Sequence, residues 1–489
     1  MTSGRIMKGT RVLAWLLPAL LLACGFHSAA QAGRIEAGFF TAHDTFNDDD
    51  PRTVSFQQPF DTPPIVIVLP SQNGSNSASI KITNVTTTGF DELILEPDNW
   101  DGPHLSMNVP YIAVEPGRHV LPDGTVIEAG FTDLTNVQFG NGFSGGVRNW
   151  ANVSFSRALS QPPMILHQLQ TANSETRNVA NQSSRPHVTS IAQSPTLTGF
   201  QLAIERSQAN SGPFPSSERI GWVAFPNAST GSFADIAGNA IAWSASTSPA
   251  TIRGWDNGCF NQPHGLTGGS PVVIAKKTTR NNQDGGWLRY CSINGANISL
   301  RVDEDRDQDN ERSISTGDAE SAAIVAFSRS FHANFTADLS VTKVSVSTDD
   351  GNGGAFKTPG AIVTYLITVS NSGNSPPNED SVLITEQLPG ELDLLVTDLA
   401  GSGSGPVVFA DGTPATGLTC GFVALGVAND CIAFSADGSD YGYAPSNSGN
   451  GTDPAVRFVR INPSGFMSGN DGTGPSRFTL RLRARINTD

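Results

Sequence analysis

The chain has 489 residues and a net charge of −15, with 45 acidic against 30 basic side chains. A field of that sign repels nucleic acid and anionic membrane surfaces, so neither is expected as a partner. With 50 glycines, 31 prolines and 38% hydrophobic residues, the composition suits a loop-rich β protein better than a helical enzyme.

Residues 1–32 read as an export leader. Arg5, Lys8 and Arg11 precede an apolar run from Val12 to Phe26, and Ala30-Gln31-Ala32 supplies small residues at a cleavage point. The run is short for a membrane span. Leu21-Leu22-Ala23-Cys24 also fits a lipobox, which would leave a lipidated Cys24. Either reading places the protein outside the cytoplasm, secreted or on a bacterial cell surface.

From Gly33 onward the chain repeats itself. Ile35-Glu36-Ala37-Gly38-Phe39 returns as Ile127-Glu128-Ala129-Gly130-Phe131. Val54-Ser55-Phe56 with Pro63-Pro64 returns as Val153-Ser154-Phe155 with Pro162-Pro163. Thr88-Gly89-Phe90 returns as Thr198-Gly199-Phe200, and Tyr111-Ile112-Ala113-Val114 as Trp222-Val223-Ala224-Phe225. Four islands in the same order, with spacing that drifts from 92 to 111 positions, indicate two domain-sized copies over 33–123 and 124–232. A third, divergent copy is expected over 233–335. Its marks are Ser270-Pro271-Val272-Val273-Ile274 and Glu320 with Ile324-Val325-Ala326-Phe327, although the Ile-Glu-Ala-Gly-Phe phrase is missing.

After Thr336 the vocabulary changes, and 336–489 is expected to be an immunoglobulin-like module. Val363, Tyr365, Ile367 and Val369 alternate with Thr364 and Thr368. Phe478, Leu480, Leu482, Ala484 and Ile486 alternate with Thr479, Arg481, Arg483 and Arg485, the pattern of a half-buried strand. Ile298, Leu300 and Val302 do the same in the third copy. Beyond the leader no amphipathic helix is apparent, and turn clusters such as Gln72-Asn73-Gly74-Ser75-Asn76 separate the strands. The expected fold is all-β: tandem antiparallel β-sandwiches followed by a C-terminal immunoglobulin-like sandwich.

Four cysteines lie beyond the leader. An even number in an exported chain implies two disulfides, and separation along the chain favours Cys259–Cys291 and Cys420–Cys431.

Two families are evoked by these motifs. Val54-Ser55-Phe56, Phe60, Pro63-Pro64-Ile65-Val66 and Ile82 through Phe90 resemble the H-type lectin domain. That resemblance implies a small antiparallel sandwich that commonly trimerises and binds N-acetylgalactosamine-type sugars. It covers the first copy well, the second in part and the third faintly. Thr358-Pro359-Gly360, Val363-Thr364-Tyr365 and Asn371-Ser372-Gly373-Asn374 resemble the bacterial surface module known as "domain of unknown function eleven", which implies a spacer or adhesive unit.

Local chemistry is sparse. Gly142-Phe143-Ser144-Gly145-Gly146 has the spacing of a nucleophile elbow, but no helix is expected after it, and loop flexibility explains the glycines better. Asp303, Asp305, Asp307 and Asp309 alternate, so a loop could gather their carboxylates around calcium. Gln308 stands where an EF-hand needs glycine, and a solvated hairpin tip carrying Arg306 and Arg312 is the plainer reading. Sugar binding needs an aromatic face and fixed polar groups. Trp100, Asp101 and His104 in the first copy and Trp255 and Asp256 in the third have that composition, although a tryptophan is more often packed than exposed. No cofactor is implied, calcium being the one candidate. The function expected is an exported, non-enzymatic carbohydrate-binding or adhesive protein that homo-oligomerises and has glycans as partners. The alternative is a self-associating surface, matrix or filament protein without glycan affinity.

Overall fold

The computed structural model describes residues 33–42, 51–97, 104–140, 147–174, 187–206, 216–304, 311–427, 430–470 and 472–488. Residues 1–32, expected to be a leader, lie outside them. The described residues hold no α-helix, and two 3-10 turns, Trp255–Asn257 and Thr316–Asp318, interrupt an all-β chain.

Three sandwiches follow one another. In the first, β1 (Gly33–Ala42), β6 (Met107–Val114) and β3 (Ile65–Val68) face β2 (Arg52–Ser55), β5 (Gly89–Leu95) and β4 (Ser79–Thr83). A short strand, β7 (Gly117–Val120), then leads to the second. There β8 (Val126–Leu134), β14 (Glu218–Pro226) and β11 (Pro163–Leu169) face β10 (Ala151–Ser154), β13 (Gly199–Arg206) and β12 (Val188–Gln193), with β9 (Val137–Gln138) alongside β13. After β15 (Ser229–Ala234) comes the third. Its β16 (Ala240–Thr247), β21 (Ala322–Phe327) and β18 (Val272–Lys277) face β17 (Phe260–Pro263), β20 (Asn297–Asp303) and β19 (Trp287–Asn294). A last short strand is β22 (Phe331–Phe335).

The short strands close these sandwiches into a ring. β7 leaves the first sandwich and pairs with β8 of the second. β15 leaves the second and pairs with β16 of the third. β22 leaves the third and returns to β1 of the first, from Gly33 opposite Phe335 to Ala37 opposite Phe331. Each sandwich keeps its own core between its two sheets. A further core fills the centre of the ring, where Ile35, Ile67 and Ile112 meet Leu166, Val223, Phe225, Trp243, Val325 and Phe331.

The repeated phrases have a common physical cause. Glu36 is fully buried, and its carboxylate accepts the backbone N–H of Gln57 at 2.9 Å, the Tyr111 hydroxyl at 2.5 Å and a His332 ring nitrogen at 2.9 Å. Glu128 accepts the matching backbone N–H of Ser156 at 2.6 Å and an Arg118 donor at 3.2 Å. In both copies a glutamate satisfies the N–H that follows the buried phenylalanine, which would otherwise be left unpaired. The third sandwich has Ser244 at that place, opposite Ala326 as Glu36 is opposite Ala113, and no such carboxylate. The Thr-x-Thr-Gly turn recurs for a similar reason. A Cβ on Gly89 would stand 2.3 Å from the Val54 carbonyl oxygen, and one on Gly199 would stand 2.1 Å from that of Val153.

The C-terminal sandwich joins a six-stranded sheet to a three-stranded one. The first holds β23 (Leu339–Asp349), β24 (Ile362–Asn371), β31 (Ser476–Ile486), β26 (Leu392–Leu395), β29 (Thr452–Asp453) and β27 (Val407–Asp411). The second holds β25 (Ile384–Gln387), β30 (Phe458–Ile461) and β28 (Ile432–Ser435). Phe478, Leu480, Leu482 and Ala484 are buried as their alternation predicts. The Asn371-Ser372-Gly373-Asn374 motif sits where this sandwich meets the ring. Asn371 Nδ2 donates to the Ser375, Met467 and Ser468 carbonyls, while Asn374 Nδ2 reaches Asn334 O at 2.7 Å. Both expected disulfides, Cys259–Cys291 and Cys420–Cys431, are present.

Candidate functional site

The best-built polar surface lies where the first sandwich meets the third. After β3 the chain crosses to β19, and the two exchange backbone hydrogen bonds between Gln72 N and Tyr290 O and between Tyr290 N and Pro70 O, at 2.8 and 2.9 Å. The loop then wraps around one side chain. Arg289, with 0% exposure, donates to the carbonyl oxygens of Ser71, Asn73 and Asn76 at 2.7–2.8 Å and to Asp303 Oδ2 at 2.8 Å. Gly74 takes φ +83 beneath the His104 ring, where a Cβ would lie 2.4 Å from the imidazole. Burial draws the Arg289 pKa down, and the Asp303 carboxylate opposes it.

The other Asp303 oxygen takes Arg312 Nη1 at 3.0 Å. Asp303 is therefore the buried hub of an arginine pair, and its two carboxylate oxygens, expected in a calcium loop, are taken by Arg289 and Arg312. Arg312 likewise turns inward, away from a hairpin tip. Asp305, Asp307 and Asp309 lie outside the described residues, as does Ser144 with its glycines. Among the described residues no group of three or more His, Cys, Asp or Glu is placed to hold a metal ion.

Trp255 is caged. The guanidinium carbons of Arg301, Arg312 and Arg289 stand 3.8, 4.4 and 4.8 Å from its ring centroid. Three guanidinium groups lie over this ring, so a sugar stacking on the indole would compete with them. Asp256 accepts the Arg312 backbone N–H at 2.8 Å and remains exposed. Arg301 donates to Trp255 O at 3.2 Å and to Gln72 Oε1. His104 is also a support and not an open ligand. Its side chain is 1% exposed, its Nδ1 lies 2.8 Å from Leu105 O, and Nε2 lies 3.8 Å from Glu96 Oε1. Trp100 and Asp101 lie outside the described residues.

Of the residues expected to bind separately, His104 of the first group and Trp255 and Asp256 of the second are thus brought to one junction. His104 packs on Gly74, the Gly74 loop encloses Arg289, and Arg289 stacks on Trp255. The rim presents exposed Asn73, Ser75 and Asp256 beside half-buried Gln72, Asn76 and Arg301. Amide, hydroxyl, carboxylate and guanidinium groups around an indole edge are suited to hydrogen-bonding a polyhydroxylated ligand. Sequence reasoning missed Gln72, Asn73, Arg289 and Arg301. The available signal was an arginine within the apolar run Trp287-Leu288-Arg289-Tyr290. A shallower hollow on the second sandwich, lined by Asn152, Ser154, Thr196, Thr198 and Gln201, offers hydroxyls and amides but no charge.

Residues 51–114 match the family model of the H-type lectin domain. The match spans β2 to β6 and so includes the Ser71–Asn76 loop, Glu96 and His104. Comparison with curated proteins and with solved structures gave no match.

Proposed function

We propose that this chain is an exported, non-enzymatic, lectin-like protein that binds glycans at the junction of its first and third sandwiches. The observation that carries the reading is the H-type lectin match over the segment that supplies the Ser71–Asn76 loop and His104. The exposed polar rim of Asn73, Ser75 and Asp256 supports it, because sugars are recognised through such fixed hydrogen-bonding groups. Export is supported by the two disulfides, which persist in oxidising compartments, and by the leader at residues 1–32. A shallow site of this kind binds weakly, and adhesion would draw on multivalency across sandwiches or copies.

A glycan array with the full chain, followed by calorimetry on any hit, tests the reading. Ser75→Trp, which fills the rim from an exposed position, is expected to weaken binding at least tenfold, about 1.4 kcal/mol. An array with no signal, or a hit indifferent to Ser75→Trp and Asp256→Ala alike, sinks this site.

A second reading, self-association as a surface or matrix protein, is favoured by one observation. Strand β23 is an 11-residue sheet edge that exposes Val344 and Val346. Such an edge is a template for another chain. Filaments seen by electron microscopy without glycan affinity would favour it.

A further inference from the structure

The outer face of the C-terminal module's larger sheet gathers arginines. Strand β31 turns Phe478, Leu480, Leu482 and Ala484 into the core, so Arg477, Arg481, Arg483 and Arg485 point outward. They do so on a chain whose net charge is −15. Arg483 and Arg485 are tied to carbonyl oxygens, of Asp398 at 2.8 Å and of Gly360 at 2.9 Å. Arg477 and Arg481 are exposed, and among the described residues neither guanidinium has a hydrogen bond or an ion pair.

Residues directly opposite each other in an antiparallel sheet share a face, so register tells what surrounds these two cations. Arg481 lies opposite Leu366 of β24 and Val408 of β27, and Leu366 lies opposite Val344 of β23. Arg477 lies opposite Ser370, which lies opposite Ser340. Between those rows Thr342, Thr368 and Thr479 cross three strands. Two exposed guanidinium groups therefore flank a row of hydroxyls, with an aliphatic row beside one of them. At the rise of a β-strand, their separation along β31 is about 13 Å. Carboxylates keep to the margins. Asp338 accepts from the Ser372 hydroxyl at 2.6 Å, and Asp349 and Asp393 stand at the far end, in the row of Arg485.

We propose that this face docks a polysaccharide bearing repeated carboxylates, a uronate-type chain, with Arg477 and Arg481 each holding one carboxylate. The planar fork of arginine matches a carboxylate through two parallel N–H donors. The row of threonines suits sugar hydroxyls, and the aliphatic row suits the C–H faces of the rings. A separation of about 13 Å is too wide for one small anion, so a polymer engages both cations where a free acid engages one. Nucleic acid fits less well, because these rows hold no aromatic side chain on which a base could stack. The overall negative charge does not forbid docking. At 0.15 M salt it is screened beyond about 8 Å, and within that distance the arginines dominate. The face belongs to a different domain from the junction of the first and third sandwiches, so the two sites stand or fall separately.

Retention of the full chain on immobilised polygalacturonate tests the site, with dextran sulfate and neutral dextran as the other arms. Retention on polygalacturonate is expected at low salt and should be lost as salt rises. Arg477→Gln with Arg481→Gln should weaken it roughly tenfold or more, because two charge-assisted contacts are removed. Both side chains are exposed, so the melting temperature of that variant should not change. Arg460→Gln, which removes a cation from β30 in the opposite sheet, should leave retention as it was. No retention overturns the proposal, and so does retention that survives the double substitution. Equal retention on dextran sulfate shows plain charge attraction and overturns the carboxylate assignment. Faster sedimentation at low salt that depends on Arg477 and Arg481, without retention, gives the face to a second copy of the chain and likewise overturns it.

Discussion

At the scale of single residues, Arg289 shows how a loop without regular structure is held. Three carbonyls of the first sandwich and one carboxylate of the third converge on its guanidinium. Arg289→Met fills a similar volume but leaves those carbonyls unsatisfied and leaves Asp303 with Arg312 alone. Breaking a buried pair from one side costs about 3–5 kcal/mol, far more than the pair contributes relative to apolar replacements. Urea denaturation should show a loss of that size for Arg289→Met and a smaller loss for Arg289→Met with Asp303→Leu. A single variant costing under about 1 kcal/mol would mean that the loop is held by something else. The same residue marks the limit of sequence reading. Asp303 stands first in an acidic run, and that run suggested a cation. Its actual partners, Arg289 and Arg312, lie 14 and 9 positions away on sides of the fold that local spacing does not reveal.

At the scale of strands, legibility follows the range of the interaction. The alternation in Phe478 through Ala484 and in Ile298 through Val302 was readable because one strand carries its own buried face. The Ile-Glu-Ala-Gly-Phe phrase was readable as a repeat, yet its glutamate's task, satisfying Gln57 or Ser156, becomes clear only when β2 and β10 are in place. Ring closure was not readable at all. β22 pairs with β1 across almost 300 positions, and nothing in Phe331-His332-Ala333-Asn334-Phe335 names its partner. Phe331 is 2% exposed and packs against Phe233 and Phe327, with ring centroids 5.2 and 5.0 Å away. Phe331→Ala should therefore cost about 3–5 kcal/mol. It should also release the β1 edge, so that sedimentation becomes dependent on concentration. Phe356→Ala, at a side chain 71% exposed, is the control and should stay within about 0.5 kcal/mol. Equal effects of the two would show that closure contributes nothing.

At the scale of the whole molecule, the placement of charge sets the response to acid. His119, His167, His187 and His264 are all pushed below their ordinary pKa chiefly by burial, His167 to about 3. Below pH 6.5 an unfolded chain takes up protons that these native imidazoles refuse, so stability falls as pH falls. For His167 alone the loss at pH 5 is about 2 kcal/mol. Asp133, held low by its hydrogen bonds from Arg219, and Asp398, held low by the backbone N–H groups of Gly403 and Gly405, act in the same sense at lower pH. Two effects oppose them. Burial raises the Glu386 carboxyl, so the fold takes up that proton more readily than the unfolded chain as pH falls. The net charge of −15 shrinks as pH approaches the isoelectric point of 4.9, which relaxes self-repulsion. That repulsion acts between surface charges screened over about 8 Å at 0.15 M salt, whereas the imidazoles are screened little. The buried groups should win. The melting temperature in sodium gluconate is expected to fall steadily from pH 7 to pH 5, and His167→Gln should flatten the decline. A melting temperature that rises toward pH 5 would show that surface repulsion, and not the protonation of the sandwich junctions, governs the ring.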